Sequence, residues 1–220
     1  MKILVAFLVL SLSSVAQAQV TSTNESKPNE TADSANSTNF WLMAGPGFSK
    51  VTTNASSDGS SNRTAIAVGA ELEIPMDQSF SIQTGVDYLQ KGFEVSGSGG
   101  TGTLAINYLE LPLLLKVKVP VRDSRFTFAA GPYAALAVKR ETRFEGAGQS
   151  ASNSADEVIN QADFGARFGA AFEIPVQDRL SISIGANYDL GLRDISSNNS
   201  GSDKSSNRTF MAMVGLGFKI

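Results

Sequence analysis

The 220-residue sequence contains no cysteine and no histidine. Without cysteine there is no disulfide, no thiolate metal site, no thiol nucleophile and no anchor cysteine for a lipid. Without histidine there is no Ser–His–Asp triad, no imidazole ligand for zinc and no side chain that ordinarily titrates near neutrality. Basic charge is also scarce, with 18 Lys and Arg against 21 Asp and Glu for a net charge of −3. That balance excludes the basic footprint of a nucleic-acid-binding protein. Long apolar runs are missing too: past the first 18 residues nothing approaches the length that a membrane-spanning helix requires.

What is present begins with a secretion signal over residues 1–18. Lys2 precedes the apolar stretch Ile3–Leu10, and Ala16-Gln17-Ala18 supplies the small-x-small pattern for cleavage before Gln19. Residues 19–39 are rich in Thr, Ser, Asn, Glu and Asp and nearly devoid of apolar side chains, so they read as a flexible polar tether. An exported chain with no apolar helix is either soluble outside the cytoplasm or crosses a membrane as a closed barrel.

From Phe40 to Ile220 the pattern is strict alternation. Phe210, Ala212, Val214, Leu216, Phe218 and Ile220 share one face, while Met211, Met213, Gly215, Gly217 and Lys219 share the other. Leu180, Ile182, Ile184, Ala186, Tyr188, Leu190 and Leu192 alternate in the same way with Ser181, Ser183, Gly185, Asn187, Asp189, Gly191 and Arg193. A period of two belongs to strands, not to helices of period 3.6. Further strands are predicted over 40–51, 64–75, 80–94, 104–119, 126–141 and 161–175.

The connections alternate in length. Residues 75–79, 120–125 and 175–179 are tight and begin with Pro, whereas 53–63, 96–103, 144–160 and 196–207 are long and rich in Ser, Asn and Gly. Short turns at one end and long loops at the other describe an all-β, up-and-down antiparallel transmembrane barrel of about eight strands. The hairpin Gly69–Tyr88 is echoed a hundred residues later, with Gly169-Ala170, Glu173-Ile174-Pro175, Ser181-Ile182, Gly185 and Tyr188 in matching places. A shared steric problem, Gly relieving crowding inside a narrow barrel, accounts for the echo more simply than a shared binding role.

Charge decides which face meets lipid. Glu71, Glu73, Asp87, Glu110, Asp163, Glu173, Asp189, Lys91, Lys116, Lys118, Lys139, Arg167 and Arg193 fall on one face. The other carries Leu109, Leu111, Leu113, Leu115, Phe126, Phe128, Phe164, Phe168 and Phe172. An apolar belt of that size suits a bilayer and not water, so the charges are predicted to point inward and pair there. Glu110, Lys116 and Lys118 are expected inside, with Lys139 and Glu141 on the next strand and Asp87 and Lys91 on the previous one as available partners.

No catalytic, cofactor or metal site emerges. Glu71, Glu73 and Glu110 could serve as acids or bases, but they face a plugged interior. The Gly-rich segment Ser96–Gly102 lacks the Lys-Ser/Thr pair of a phosphate loop. Asp156-Glu157 with Asp163 lacks the spacing of a calcium loop. Asn54-Ala55-Ser56, Asn62-Arg63-Thr64 and Asn207-Arg208-Thr209 match glycosylation acceptors, as Ser/Asn-rich sequence does by chance.

Tyr108-Leu109-Glu110-Leu111-Pro112-Leu113-Leu114-Leu115-Lys116 resembles a strand signature of the outer-membrane β-barrel family that includes PorT-like proteins. Ala129-Ala130-Gly131-Pro132-Tyr133 and Gly215-Leu216-Gly217-Phe218 are similar to later strands of that family. The resemblance covers 40–220 and implies a Gram-negative bacterium of the Bacteroidota type. It also implies location in the cell outer membrane and does not imply an enzyme; members are mostly of unassigned role, with some tied to protein secretion. The C-terminal Phe218-Lys219-Ile220 departs from the terminal aromatic residue common in such barrels.

Together these readings predict a non-enzymatic barrel with a structural or surface-interaction role through its long loops. The alternative is an accessory part of an envelope or secretion machine, with a small channel or a membrane enzyme behind both. Expected partners are outer-membrane lipid, the barrel assembly machinery during biogenesis and an envelope protein. The barrel is expected to be a monomer, with no nucleic acid and no cofactor.

Overall fold

The structure, a computed structural model, describes residues 37–53, 60–97, 100–146, 149–154, 161–193 and 205–220. The expected signal peptide and nearly all of the polar tether lie outside these residues. The described residues form nine strands: β1 (Asn39–Thr53), β2 (Ser60–Pro75), β3 (Phe80–Gly97), β4 (Gly100–Val121), β5 (Ser124–Gly146), β6 (Gln149–Ser154), β7 (Ala162–Gln177), β8 (Leu180–Gly191) and β9 (Ser205–Lys219).

Eight of them close a ring. Every ring neighbour is antiparallel, β5 pairs with both β4 and β7, and β1 pairs with β9 to join the two ends of the sheet. Closure leaves no unpaired edge in the ring, which a strand in hydrocarbon cannot tolerate. β6 stands outside the ring and pairs only with the last residues of β5, Glu141–Gly146.

The tight connections are shorter than predicted. Arg122-Asp123 alone join β4 to β5, and Asp178-Arg179 alone join β7 to β8. In the β2–β3 turn Asp77 supplies the local chemistry: its Oδ1 accepts the backbone N–H groups of Ser79 and Phe80, each at 2.7 Å. That is an Asx turn, in which a side chain replaces a backbone acceptor.

Two predicted loops are corrected. Residues 96–103 are mostly strand, because β3 runs to Gly97 and β4 starts at Gly100, with these two residues paired. Residues 144–160 contain β6 and the end of β5. Both segments are rich in Ser, Gly, Thr and Asn and lack the apolar alternation from which a strand is read in sequence. Among the described residues the β3–β6 side of the barrel is the taller one: β4 and β5 have 22 and 23 residues against 12 in β8.

The alternation resolves into two faces. Leu109, Leu111, Leu113 and Leu115 are 42–55% exposed on the outside of β4, while Tyr108, Glu110, Leu114 and Lys116 are at most 4% exposed inside. The outward residues of β5, Phe126, Phe128, Leu136 and Val138, extend the same belt. Inside, two small apolar clusters flank the charges. One is Leu104, Ile106, Tyr108, Tyr133, Ala135 and Ala137, and the other is Ala67, Leu89, Met211 and Met213 with Met43 against it.

Candidate functional site

The barrel interior holds the only dense chemistry among the described residues. All seven predicted acids, Glu71, Glu73, Asp87, Glu110, Asp163, Glu173 and Asp189, are buried, as are Lys91, Lys116, Lys118 and Arg167. They are brought there by the strand period: each sits at an inward position of its strand, and all but Lys91 have apolar residues on either side.

Toward the loop end the hub is Arg167 on β7. Its guanidinium reaches Asp189 on β8 at 2.7 Å, Glu110 on β4 at 2.5 Å, Glu71 on β2 at 3.8 Å, and Asp87 on β3. Lys91 joins the same carboxylates, 2.9 Å from Glu110 and 3.6 Å from Asp189. Its Nζ also lies 4.6 Å from the Tyr133 ring centre and 5.4 Å from that of Tyr108, within cation–π range. A planar five-donor fork suits this position, since a lysine could not address carboxylates on four strands together. Gln83 hydrogen-bonds Glu71 at the edge of the group.

Toward the tight-turn end a second cluster forms. Lys116 lies 2.7 Å from Glu73 and 2.5 Å from Glu173, Lys118 lies 3.3 Å from Glu73, and Arg125 donates to Glu173 at 2.5 Å. Trp41 and Ser81 also donate to Glu73, at 3.0 and 3.1 Å. Asp163 stands apart from both clusters and accepts the Asn207 amide at 3.0 Å.

Two predicted interior cations, Lys139 and Arg193, are not among the buried ones. Lys139 is outside the lumen, its side chain 58% exposed, and pairs with Glu141 at 2.9 Å. The register of β4 with β5 shifts between Asn107 and Tyr108, which leaves Val138 as an extra residue and turns Lys139 outward. Lys139 and Glu141 are therefore partners of each other and not of Glu110 or Lys116. Arg193 follows the end of β8 and lies in no strand.

Several interior residues escaped sequence reasoning. Trp41 is the one tryptophan of the chain and is 2% exposed. Its ring takes the space opposite Gly217, where an added Cβ would come within 2.7 Å of it. The available signal was a bulky inward residue on β1 facing a glycine on β9, but register is needed to join them. The hundred-residue echo has the steric origin expected of it: a Cβ at Gly69 would meet the Asp87 carboxylate at 2.1 Å, and one at Gly169 the Asn187 amide at 2.5 Å. Asn207, a nominal glycosylation acceptor, is buried in the lumen, whereas Asn54-Ala55-Ser56 and Asp156-Glu157 lie outside the described residues.

A cavity of about 30 Å³ lies beside Trp41, Lys116 and Glu173, room for one or two water molecules. Among the described residues no group of three or more acidic side chains could hold a metal ion.

A closed eight-stranded ring with an apolar exterior and an ion-paired lumen defines a transmembrane β-barrel. The chain belongs to the outer membrane protein beta-barrel domain family, whose model matches residues 17–197, and the protein resides in the cell outer membrane. No curated protein matches the sequence. Solved structures similar in fold include OprG from Pseudomonas aeruginosa (14% identity, TM-score 0.48, covering 84% of this chain and 97% of that one). Neisserial surface protein A is similar at 10% identity with TM-score 0.47, covering 82% and 97%. The attachment invasion locus protein Ail of Yersinia pestis is similar at 13% with TM-score 0.43, covering 84% and 99%.

Proposed function

We propose that this protein is a non-enzymatic, non-conducting, monomeric barrel that acts as a surface-interaction scaffold, making its contacts at the loop end outside the cell. The observation that carries the reading is the Arg167 network. It ties β7 to four other strands across the lumen, and a lumen of eight strands so filled has no route for solutes and no entry for a substrate. What is left for recognition is the projecting side built by β3–β6, where exposed Arg143 and Glu145 stand near the tip of β5.

The second reading, an accessory of an envelope or secretion machine of the PorT-like kind, draws only on the resemblance of the segment Tyr108–Lys116. Its alternation supplies belt residues Leu109, Leu111, Leu113 and Leu115 and interior residues Glu110 and Lys116, so barrel architecture alone accounts for the motif. Site-specific photo-crosslinking in living cells separates the two. A crosslinker at Arg143 should capture a partner, and one at Leu111, in the middle of the lipid-facing wall, should capture none. A stoichiometric adduct through Leu111 alone would replace the surface reading with the machine reading.

A further inference from the structure

The outside of the β1–β9 seam is apolar along its length and then changes abruptly. The outward residues of β1 are Phe40, Leu42, Ala44, Pro46 and Phe48, and those of β9 are Phe218, Leu216, Val214, Ala212 and Phe210. Register sets Phe40 opposite Phe218 and Phe48 opposite Phe210. Tyr188 of β8 is opposite Phe210 in turn, so three aromatic side chains form one row across three strands. Eight residue steps from Phe40 to Phe48, tilted as barrel strands are, cover roughly 20 Å of membrane thickness. That is close to the apolar band of about 25 Å expected between aromatic girdles. The Phe48–Phe210–Tyr188 row therefore marks the loop-side interface.

The next outward pair beyond this row is Lys50 and Arg208, directly opposite one another. Lys50 is exposed and Arg208 half-buried. The Arg208 Nε is buried without a hydrogen-bond partner among the described residues, and none of the ion pairs recorded among them involves either side chain. The cross-strand neighbour on β8, Leu190, is uncharged. Two like charges facing each other across an antiparallel pair destabilise it, and at the edge of hydrocarbon the cost of uncompensated charge rises. One outward cation on the other side of the barrel, Lys139, has a carboxylate at 2.9 Å.

We propose that Lys50 and Arg208 form a two-point clamp for the phosphate of a membrane lipid headgroup. The guanidinium offers a fork and the ammonium a point charge, the pairing suited to a phosphomonoester. A lipid is the occupant because the pair sits on the bilayer-facing surface, at headgroup height. Beneath it the small side chains Ala212 and Ala186, directly opposite one another, leave shallow relief for an acyl chain.

The test uses the purified full chain in phosphatidylcholine nanodiscs doped with phosphatidic acid as the phosphomonoester probe. Lipids retained per barrel are counted by native mass spectrometry. The native protein should retain phosphatidic acid in about tenfold preference over phosphatidylcholine, a preference set by the charge-assisted contacts. K50Q, at an exposed position that leaves folding intact, should lose most of this preference, and K50Q/R208Q all of it. K139Q should keep it, and millimolar inorganic phosphate should not displace the lipid. Equal retention by K50Q and the native protein would overturn the clamp. So would an equal loss in K139Q, or displacement by free phosphate, which would make the pair a soluble-anion site.

Discussion

The two charge clusters inside the barrel meet the same requirement with opposite balances. Toward the loops, four carboxylates (Glu71, Asp87, Glu110, Asp189) share two cations, Lys91 and Arg167. Toward the tight turns, two carboxylates (Glu73, Glu173) share three cations, Lys116, Lys118 and Arg125. The first cluster hangs on one guanidinium that spans the lumen, and the second distributes its cations over neighbouring positions of β4 and β5. Removing a cation should therefore be unequal in effect. At the hub several buried carboxylates lose their counter-charge together, whereas at the turn end each carboxylate keeps a second partner. Arg125, 32% exposed, can also draw on water.

The largest expected effect is at Arg167. Arg167→Leu leaves four buried carboxylates with Lys91 alone, and breaking even one such buried pair costs about 3–5 kcal/mol. Denaturant unfolding in detergent, followed by the heat-modifiable gel shift, should show a loss at or above that range. Arg167→Lys should recover little of it, because a point charge cannot address carboxylates on four strands. The comparison breaks if Arg167→Leu costs no more than the equivalent change at the turn end. That equivalent is Lys116→Met, expected below the range of about 3–5 kcal/mol because Lys118 and Arg125 remain beside Glu73 and Glu173.

Trp41 sharpens the contrast, since its indole donates to Glu73 and lies 5.2 Å from the Lys116 ammonium. As the one tryptophan, it reports the turn-end cluster alone. Its emission should shift in Lys116→Met and stay in place in a folded Arg167→Lys. Gly217→Val, which drives a side chain into the indole, should shift it as well and destabilise by about 1–3 kcal/mol, the usual cost of overpacking. Unchanged emission in Gly217→Val would mean that the β1–β9 register differs from the one described.

These expectations separate what is legible in the sequence from what is not. The period of two makes the strands, the lipid face and the burial of Glu110, Lys116 and Lys118 legible, because facing follows from parity along a strand. Parity fails where a residue is inserted: Val138 shifts the frame, and Lys139 leaves the lumen. β6 is illegible because Gln149–Ser154 offers no apolar–polar alternation to detect. Partner choice is hidden for a third reason. Arg167 and Asp87 are 80 residues apart and sit on strands that are not ring neighbours, so they meet only across the closed lumen. The family resemblance at Tyr108–Lys116 led to an outer-membrane barrel and left the pairing of its charges open.

The smallest effect belongs to the pair that left the interior. Lys139 and Glu141 sit two residues apart on one face of β5, at the outer rim, with side chains 58% and 37% exposed. Water screens both charges, and ordering two long side chains offsets much of the attraction, so Lys139→Ala should cost under about 1 kcal/mol. That cost should shrink further in high salt, since the Debye length falls to about 3 Å at 1 M. The salt dependence is the more telling measurement. Buried pairs such as Lys116–Glu73 are shielded from mobile ions, so the deficit of Lys116→Met should be nearly the same in low and high salt. If the Lys139→Ala deficit were instead large and indifferent to salt, Lys139 would be inside the barrel after all. The register shift at Val138 would then be misplaced, and the loop-end cluster would have a third cation.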